Sequence, residues 1–347
     1  MIREELRSRA WEEAAARRRD MNGIEFGIDR EATMALVNKL KGFERKHLMT
    51  ILCGGLDNRQ RRHRRKLAAH PLCLLCDQNE LDTTAHIFHK CPRWHHHRAG
   101  HPRFFEEHVG EVPCVQECAL VPEQQPYVDA EASLREMAEQ PALPEMPAPA
   151  LESLAPDGSI IIFTDGACKR QAHKRLRRAG YGIYWGDCHP MNTHAPLPGR
   201  AQTNQRAELL AAIKAAETDS RRLEIRTDSL YVQRGFANWH TWKLLGWSGA
   251  NRDLWMRVHG LMSTSPDRIR VVKVKGHATW YDVQQGRVTH FDKVGNARAD
   301  ALARRGADLH ANVADLAASA RRRSTLSRQY QRILLRIFHD RERALRQ

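Results

Sequence analysis

Two aspartates in the second half of the chain directly follow apolar segments that have the composition of buried strands. Asp165 comes after residues 160–164, and Asp228 comes after residues 223–227. A single aspartate after a strand is more often a turn or helix cap than a ligand. Two of them past neighbouring strands would meet at one edge of a sheet, where α/β proteins commonly build their sites. The pattern therefore predicts two carboxylates at a shared strand edge.

Two further acids lie in segments with helical periodicity. Glu208 follows Asn204 by one turn and Asp300 follows Asn296 by the same interval, so each acid shares a helix face with an amide side chain. Four clustered carboxylates repel one another unless cations hold them together, and their oxygen atoms suit Mg²⁺ or Mn²⁺. Two such ions can activate water beside a phosphodiester and stabilise the leaving oxygen. The four acids therefore predict metal-dependent phosphodiester chemistry.

A histidine follows the last expected strand of this region. His277 comes after residues 268–275, within the sequence Lys275-Gly276-His277. An isolated histidine after a strand is usually an ordinary loop residue. Beside a metal-dependent site, an imidazole that titrates near neutral pH could transfer a proton or help release the product.

The elements that must position these residues alternate between the two periodicities. We expect strands at residues 159–164, 180–185, 191–197, 223–227 and 268–275, and helices at 203–217, 229–239, 251–262 and 294–305. Gly306 is expected to end the last of these helices. Strands mixed with helices in this order predict an α/β fold, with a mixed sheet flanked by helices.

Six segments between residues 159 and 306 contain the candidate site residues: Phe163-Thr164-Asp165-Gly166-Ala167-Cys168, Gln202-Thr203-Asn204-Gln205-Arg206-Ala207-Glu208, Thr227-Asp228-Ser229, Asn251-Arg252-Asp253-Leu254-Trp255, Lys275-Gly276-His277 and Gly295-Asn296-Ala297-Arg298-Ala299-Asp300. In their composition and order along the chain, these segments resemble type 1 ribonuclease H. The resemblance implies a ribonuclease H-like fold and hydrolysis of the RNA strand of RNA–DNA hybrids with two Mg²⁺ (or Mn²⁺) ions. It assigns the ligand role to Asp165, Glu208, Asp228 and Asp300, and matches His277 to the family's catalytic histidine.

The same resemblance implies a set of nucleic-acid contacts. Asn204 and Gln205 match positions that contact the 2′-hydroxyls and bases of the RNA strand, the groups that distinguish RNA from DNA. Thr203 and Asn251 match a phosphate pocket on the DNA side. Three aromatic side chains match a channel that packs against deoxyribose: Tyr231, Trp239 and Trp242. The alternative is that these aromatics belong to the ordinary core.

One departure from the family pattern lies beside the expected site. His277 and Asp300 are 23 residues apart, a wider interval than in compact members of the family. Residues 278–291 are therefore expected to form a longer loop, and His290 becomes a rival candidate for the catalytic histidine.

A Cys/His cluster lies upstream of this region. Cys73, Cys76, His86 and Cys91 give the spacing C-x₂-C-x₉-H-x₄-C, a plausible tetrahedral set for one structural Zn²⁺. His89 could replace His86, and residues 95–97, all histidines, are competitors. The segment resembles the zinc module found downstream of reverse transcriptase in non-LTR retroelements, which implies a retroelement-derived enzyme. The alternative function is that of a non-catalytic nucleic-acid-binding retroelement remnant.

Charge and composition define the remaining expectations. The chain has a net charge of +15 and a sequence pI of about 9.8, which favours a polyanionic partner. We expect a basic helical segment at 1–70, a CCHC-type zinc module at 71–98, an acidic proline-rich linker at 99–157, the ribonuclease H domain at 158–308 and a basic helix at 309–347. The basic runs at 59–66 and 321–346 could bind other nucleic acid or could be solvated helix faces.

Several classes of protein do not fit the sequence. The eight cysteines lack the spacing of a secreted disulfide scaffold, and no apolar run approaches the roughly 20 residues of a membrane span. The N-terminal residues lack the apolar core of a secretory signal. We therefore expect an intracellular monomer that does not associate with membranes.

Overall fold

The structure is a computed structural model that describes residues 2–99, 112–139, 152–244 and 249–347. Contacts divide the chain into two compact units. The first comprises Met1–Asp129, Ala172–Lys174 and Ala314–Gln347, and the second comprises Ala130–Gln171 and Arg175–Val313. Within the described ranges, no helix is both long and apolar enough to cross a membrane.

The second unit contains a mixed sheet. Its strands are β1 (Ile160–Lys169), β2 (Arg178–Tyr184), β3 (Thr193–Pro196), β4 (Leu223–Thr227) and β5 (Ile269–Lys273). The spatial order is β3-β2-β1-β4-β5. β1 and β3 pair antiparallel with β2, whereas β1, β4 and β5 run parallel to one another. The predicted mixed sheet flanked by helices is confirmed.

In the described ranges the α-helices are, in chain order, α1 (Ile2–Arg17), α2 (Arg30–Met34), α3 (Gly42–Leu52), α4 (Arg59–Arg64), α5 (His95–Arg98), α6 (Pro113–Cys118), α7 (Gln125–Glu136), α8 (Asn204–Thr218), α9 (Leu230–Ala237), α10 (Thr241–Leu244), α11 (Arg252–Thr264), α12 (Trp280–Gln284), α13 (His290–Asp308) and α14 (Ala314–Ala344). Of these, α8 to α13 belong to the second unit and surround the sheet.

The central strand β1 is buried on both faces. Ile160 and Ile162 belong to the large core cluster that includes α8, whereas Ile161 and Phe163 pack in a separate cluster with Ala299 of α13. Successive side chains of a strand point to opposite faces, so this division places helices on both sides of the sheet. It also explains why residues 160–163 form a continuous apolar run rather than an alternating one.

Helix α13 lies unusually close to the sheet. A Cβ atom on Gly182 of β2 would lie 2.4 Å from the Ala299 carbonyl oxygen, and one on Gly306 would lie 2.4 Å from the Ala195 carbonyl oxygen of β3. The prediction that Gly306 ends the helix was wrong, since α13 continues to Asp308. Gly306 instead permits close packing on β3, and this packing carries Asp300 toward the edge of β1.

The expected loop at 278–291 is a short helix followed by the start of α13. The hydroxyl of Thr279 accepts a hydrogen bond from the Asp282 amide, and the Asp282 carboxylate accepts one from the Thr279 amide, which together form a capping box for α12. The capping box stabilises a short helix where a loop was expected. That prediction was wrong because it was based only on the length of the interval between His277 and Asp300.

The first unit has one core to which several expected segments contribute. Buried residues of that core come from the N-terminal helices, the Cys/His segment and the C-terminal helix: Leu36, Leu48, Ile51, Ile87, Phe88, Trp94, Leu334, Ile337 and Phe338. The division of the chain therefore differs from the expected separate segments at 1–70, 71–98 and 309–347. The reason is that α14 buries an apolar face in this core instead of extending as an independent basic helix.

The expected linker at 99–157 is in part packed structure. Cys114 and Val115 of α6 are buried in the core of the first unit. Pro113 occupies the first turn of that helix, where its missing N–H is not needed, so the proline begins a helix rather than breaking one. Residues 100–111 and 140–151 lie outside the described part of the chain.

Candidate active site

Three carboxylates of the second unit converge on one point. Oxygen atoms of Asp165, Glu208 and Asp228 lie within 4.8 Å of one another. Asp228 follows the end of β4, as predicted. Asp165 does not follow a strand but lies inside β1, opposite Gly182 of β2, because antiparallel pairing with β2 extends β1 to Lys169. Parallel pairing of β1 with β4 places Asp165 and Asp228 on neighbouring strands.

Two hydrogen bonds orient the carboxylate of Glu208. Asn204 Nδ2 donates to Oε1 at 2.6 Å, across the one-turn interval in α8, and Ser229 Oγ donates to Oε2 at 2.5 Å. Ser229 also caps the N-terminus of α9 by accepting from the Val232 amide. Ser229 was predicted only as a member of the motif Thr227-Asp228-Ser229 and without a role of its own, although a serine between a strand and a helix is a recognisable cap.

Asp300 lies at the rim of this cluster. Together with the three convergent acids it lines a cleft of about 670 Å³. Its Oδ2 atom pairs with Arg304 Nη2 at 2.6 Å, one turn later in α13. All four predicted acids therefore face one cleft, three of them in direct proximity and the fourth held by an arginine that the sequence analysis did not consider.

His277 lines the same cleft, and a close approach of the backbone places it there. A Cβ atom on Gly276 would lie 2.3 Å from Asp228 Oδ2, so a residue with a side chain would displace that carboxylate. His277 itself adopts a left-handed φ of 49°, which is uncommon for a residue other than glycine and is frequent at functional sites. The rival His290 begins α13 and stacks on Trp280 with ring centroids 5.3 Å apart, and it is not among the described residues that line the cleft.

The electrostatics of the cleft favour a bound cation. Burial, together with the neighbouring carboxylate of Asp228, raises the pKa of Asp165 to about 8. Burial also raises the pKa of Glu208, against the opposing effect of the Ser229 hydrogen bond. Without a cation, the cluster must retain protons near neutral pH. Carboxylate oxygens crowded in this way fit hard divalent cations such as Mg²⁺ or Mn²⁺.

The raised pKa of Asp165 leads to a pH-dependent prediction. Because the pKa of Asp165 in the folded protein lies above the ordinary carboxyl value, the metal-free protein holds a proton on this side chain at neutral pH. Its free energy of unfolding therefore falls as the pH rises toward 8. A metal ion must displace that proton, so the affinity for Mn²⁺ should rise by up to about tenfold per pH unit between pH 6 and 8 and then level off. Calorimetric titration at several pH values measures this, and an affinity independent of pH in that interval would contradict it.

The residues predicted to contact nucleic acid lie at the start of α8 and near it. Thr203, Asn204 and Gln205 are exposed, and the Thr203 hydroxyl accepts from the Arg206 amide as the helix cap. The side chain of Arg206 donates to Asn251 Oδ1 at 3.4 Å and pairs with Asp253 at 2.5 Å. Arg206 therefore connects Thr203 to Asn251, a link that the sequence analysis missed.

Of the predicted aromatic residues, Tyr231 and Trp239 are half-buried rather than freely exposed. The Tyr231 hydroxyl accepts from Trp255 Nε1 at 2.9 Å and from Asn251 Nδ2 at 3.1 Å. Trp239 packs edge-on against His259 with ring centroids 5.3 Å apart. Both contact the main core of the second unit, so they are anchored by the core while part of each surface is accessible. Trp242 lies in α10, and its side chain is outside the described part of the structure.

The predicted Cys/His cluster assembles in the first unit. Ligand atoms of Cys73, Cys76, His86 and Cys91 lie within 4.8 Å of one another, and Cys76 Sγ lies 3.4 Å from His86 Nε2. The alternative ligand His89 points elsewhere, because its Nε2 atom lies 2.9 Å from the Gln116 carbonyl oxygen.

The cluster has the donor set of a zinc site. Burial, with the nearby thiol of Cys73, raises the pKa of Cys91 to about 12, so a metal ion that binds this thiol must displace its proton. The Leu75 amide donates to Cys73 Sγ at 3.4 Å, a hydrogen bond that a thiolate would strengthen. Three sulfur atoms and one imidazole fit Zn²⁺.

Comparison with known protein families shows that the model of the RNase H family matches residues 157–308. Ribonuclease H1 of Mus musculus is 39% identical over 161 residues, which cover 43% of this chain and 50% of that protein. Ribonuclease H of Verminephrobacter eiseniae is 37% identical over 160 residues, covering 43% of this chain and 90% of the relative. The solution structure of the PFV RNase H domain is 25% identical with a TM-score of 0.35, covering 43% of this chain and 94% of that domain. The chain thus spans about half the length of its ribonuclease H1 relatives.

Proposed function

Because this chain belongs to the ribonuclease H family, we propose that it is an endonuclease that hydrolyses the RNA strand of RNA–DNA hybrids. The observation that carries the proposal is the cleft in which Asp165, Glu208 and Asp228 converge, with His277 and Asp300 on its walls. Water attack on phosphorus would yield products with 5′-phosphate and 3′-hydroxyl ends.

The four acids would hold two Mg²⁺ or Mn²⁺ ions. Asp165, Glu208 and Asp228 present oxygen atoms within 4.8 Å of one another, and burial together with the carboxylate of Asp228 raises the pKa of Asp165, so bound cations would stabilise its charged form. When bound, two ions activate water on one side of a phosphodiester and stabilise the leaving oxygen on the other. Asp300 would complete the ligand set once its pairing with Arg304 is exchanged for a cation.

The residues around the acids have positioning and proton-transfer roles in this proposal. Asn204 and Ser229 hold the Glu208 carboxylate in one orientation, and Gly276 leaves space for Asp228. His277 stands on the cleft wall, where its imidazole can accept a proton or pass one to the departing product.

Recognition of the hybrid would use both sides of the cleft. The second N–H and the oxygen of the Asn204 side-chain amide, together with the exposed side chain of Gln205, would contact the RNA strand through its 2′-hydroxyls. Thr203, Arg206 and Asn251 would contact a phosphate of the DNA strand. The accessible parts of Tyr231 and Trp239 would pack against deoxyribose, where a 2′-hydroxyl would clash.

Substrate choice tests this function. The protein with Mg²⁺ should cleave the RNA strand of a labelled hybrid and leave matched double-stranded RNA and double-stranded DNA largely intact, because one strand must carry 2′-hydroxyls and the other must lack them. Gel analysis of the three duplexes at one stated salt concentration, with and without a chelator, measures this. Equal cleavage of double-stranded RNA and hybrid would refute the proposed specificity.

The first unit would act as an accessory module. We propose that Cys73, Cys76, His86 and Cys91 bind one structural Zn²⁺ and that the protein derives from a retroelement. The C-terminal helix supports a further role in nucleic-acid binding: Arg328, Arg332 and Arg336 follow one another at i, i+4 intervals, and Arg332 and Arg336 are exposed. Like charges at this interval destabilise a helix because they repel one another. The phosphate groups of a bound nucleic acid would neutralise these positive charges and remove the repulsion.

The second candidate function is that of a non-catalytic nucleic-acid-binding remnant of a retroelement. It shares the basic helix and the Cys/His cluster with the first candidate, and differs in predicting that hybrids are bound but not cleaved. The complete set of acids favours the enzyme, since loss of selection would be expected to remove at least one of them.

A further inference from the structure

A second group of potential metal ligands lies in the first unit, apart from the Cys/His cluster. His96 and His97 are on α5, and Asp340 is on α14. One ligand atom from each residue lies within 4.8 Å of those of the other two. Two imidazoles and one carboxylate are a common ligand set for zinc sites that keep a position open to water.

The separations are close to those that a tetrahedral ion requires. His97 Nε2 lies 2.7 Å from Asp340 Oδ2, and the ring centroids of His96 and His97 are 4.1 Å apart. Ligand atoms bound to Zn²⁺ at 2.0–2.1 Å with tetrahedral angles stand about 3.3 Å from one another. The ligand atoms of all three residues lie within 4.8 Å of one another, and the His97–Asp340 pair lies inside the tetrahedral spacing, so rotations of the side chains would bring the three atoms to a common ion.

The histidine side of the group is anchored by its surroundings. The buried ring of Trp94 stacks against His97 with centroids 6.4 Å apart. Arg98, the last residue of α5, donates through Nη2 to the Cys91 carbonyl oxygen at 2.5 Å. Cys91, one of the proposed ligands of the first zinc ion, is therefore bound directly to the helix that carries His96 and His97.

The carboxylate side is anchored as well. Arg341, the residue after Asp340, is buried and pairs with the buried Asp82 at 2.8 Å, which fixes this turn of α14. The second oxygen of Asp340 lies 3.5 Å from Arg343 Nη1, a partly exposed pair that leaves Oδ2 directed toward His97. Both sides of the group are thus preorganised, which lowers the entropic cost of binding an ion.

We propose that His96, His97 and Asp340 form a second zinc site that links α5 to α14 within the first unit. An ion pair between His97 and Asp340 would account for their short distance, but it gives no role to His96. Imidazole ligands favour Zn²⁺ and related transition metals over Mg²⁺. Because His96 is exposed, the ion at this site exchanges with solvent, unlike one held among the partly buried thiols.

Zinc stoichiometry of the purified full-length protein tests the proposal. In equilibrium dialysis against micromolar Zn²⁺, with the free metal counted in the buffer on both sides, we expect two zinc ions per chain in the wild type and one in both His97→Ala and Asp340→Asn. His95→Ala is the matched control, since this neighbouring exposed histidine is not in the group and its variant should retain two. Asp340→Asn changes no side-chain volume, and its circular dichroism should match that of the wild type.

Cobalt substitution separates the two sites. Co²⁺ bound by Cys73, Cys76 and Cys91 should show thiolate charge-transfer absorption, and the second equivalent of Co²⁺ should add only weaker visible bands that disappear in His97→Ala. One zinc ion in the wild type, two in His97→Ala, or loss of the second ion in His95→Ala would each overturn the proposal. None of these measurements depends on nuclease activity.

Discussion

Asp165→Asn is expected to lower hybrid cleavage by roughly 10³-fold or more, a loss typical of removing an essential catalytic group. Asp165 lies between the other acids, and burial with the neighbouring Asp228 raises its pKa to about 8. The amide has one neutral oxygen where the carboxylate has two charged ones, so it is a poor ligand for a hard cation. Affinity for the hybrid should change by only a few fold, since we propose that the exposed residues at the start of α8 and the basic surfaces supply binding.

Single-turnover cleavage and filter binding of the same labelled hybrid measure the two quantities separately. Asp187→Asn is the matched control, because Asp187 is an exposed acid of the second unit that contacts Tyr184 and lies away from the cleft. Cleavage by Asp165→Asn at near the wild-type rate would exclude the metal-ligand role proposed for this residue. Equal loss of cleavage and binding would indicate a disrupted fold instead.

Cys76→Ser is expected to destabilise the first unit strongly while sparing the nuclease cleft. Structural zinc contributes about 10–16 kcal/mol to the folding of small zinc peptides, and the loss of even several kcal/mol lowers a thermal midpoint by about 10 °C or more. Cys91 and Phe88 of this segment are buried in the same core as the N-terminal helices. The damage should therefore spread beyond the Cys/His segment itself.

The four acids and their supporting residues belong to the second unit, which has its own core. Cys76→Ser should thus retain most of the cleavage of short hybrids at low temperature, where the second unit remains folded. Cys53→Ser is the control, since Cys53 is exposed and outside the cluster. Calorimetry and a cleavage assay on both variants provide the comparison; an unchanged thermal profile for Cys76→Ser would show that this thiol holds no structural metal.

Local sequence patterns determined the types and the order of the elements in the second unit. The apolar run before Asp165 and the helical stripe around Glu208 each reflect one short-range periodicity, and both elements form, although β1 continues past the predicted end to Lys169. The motif Lys275-Gly276-His277 likewise indicated a residue beside the acids, and His277 lines the cleft. The strand and helix predictions were correct in type because strand and helix periodicities are properties of consecutive residues.

The sequence by itself thus determined which residues could do the chemistry, whereas only the tertiary structure decided where elements end and which faces they bury. β1 extends past Asp165 because β2 supplies hydrogen-bond partners, and Gly306 lies within a helix because β3 passes directly against it. Pro113 begins a buried helix, and α14 packs on residues near the N-terminus. Each of these outcomes depends on contacts between residues that are far apart in the sequence. Burial of apolar surface across the whole fold brings those residues together, so a short stretch of sequence cannot predict the contacts.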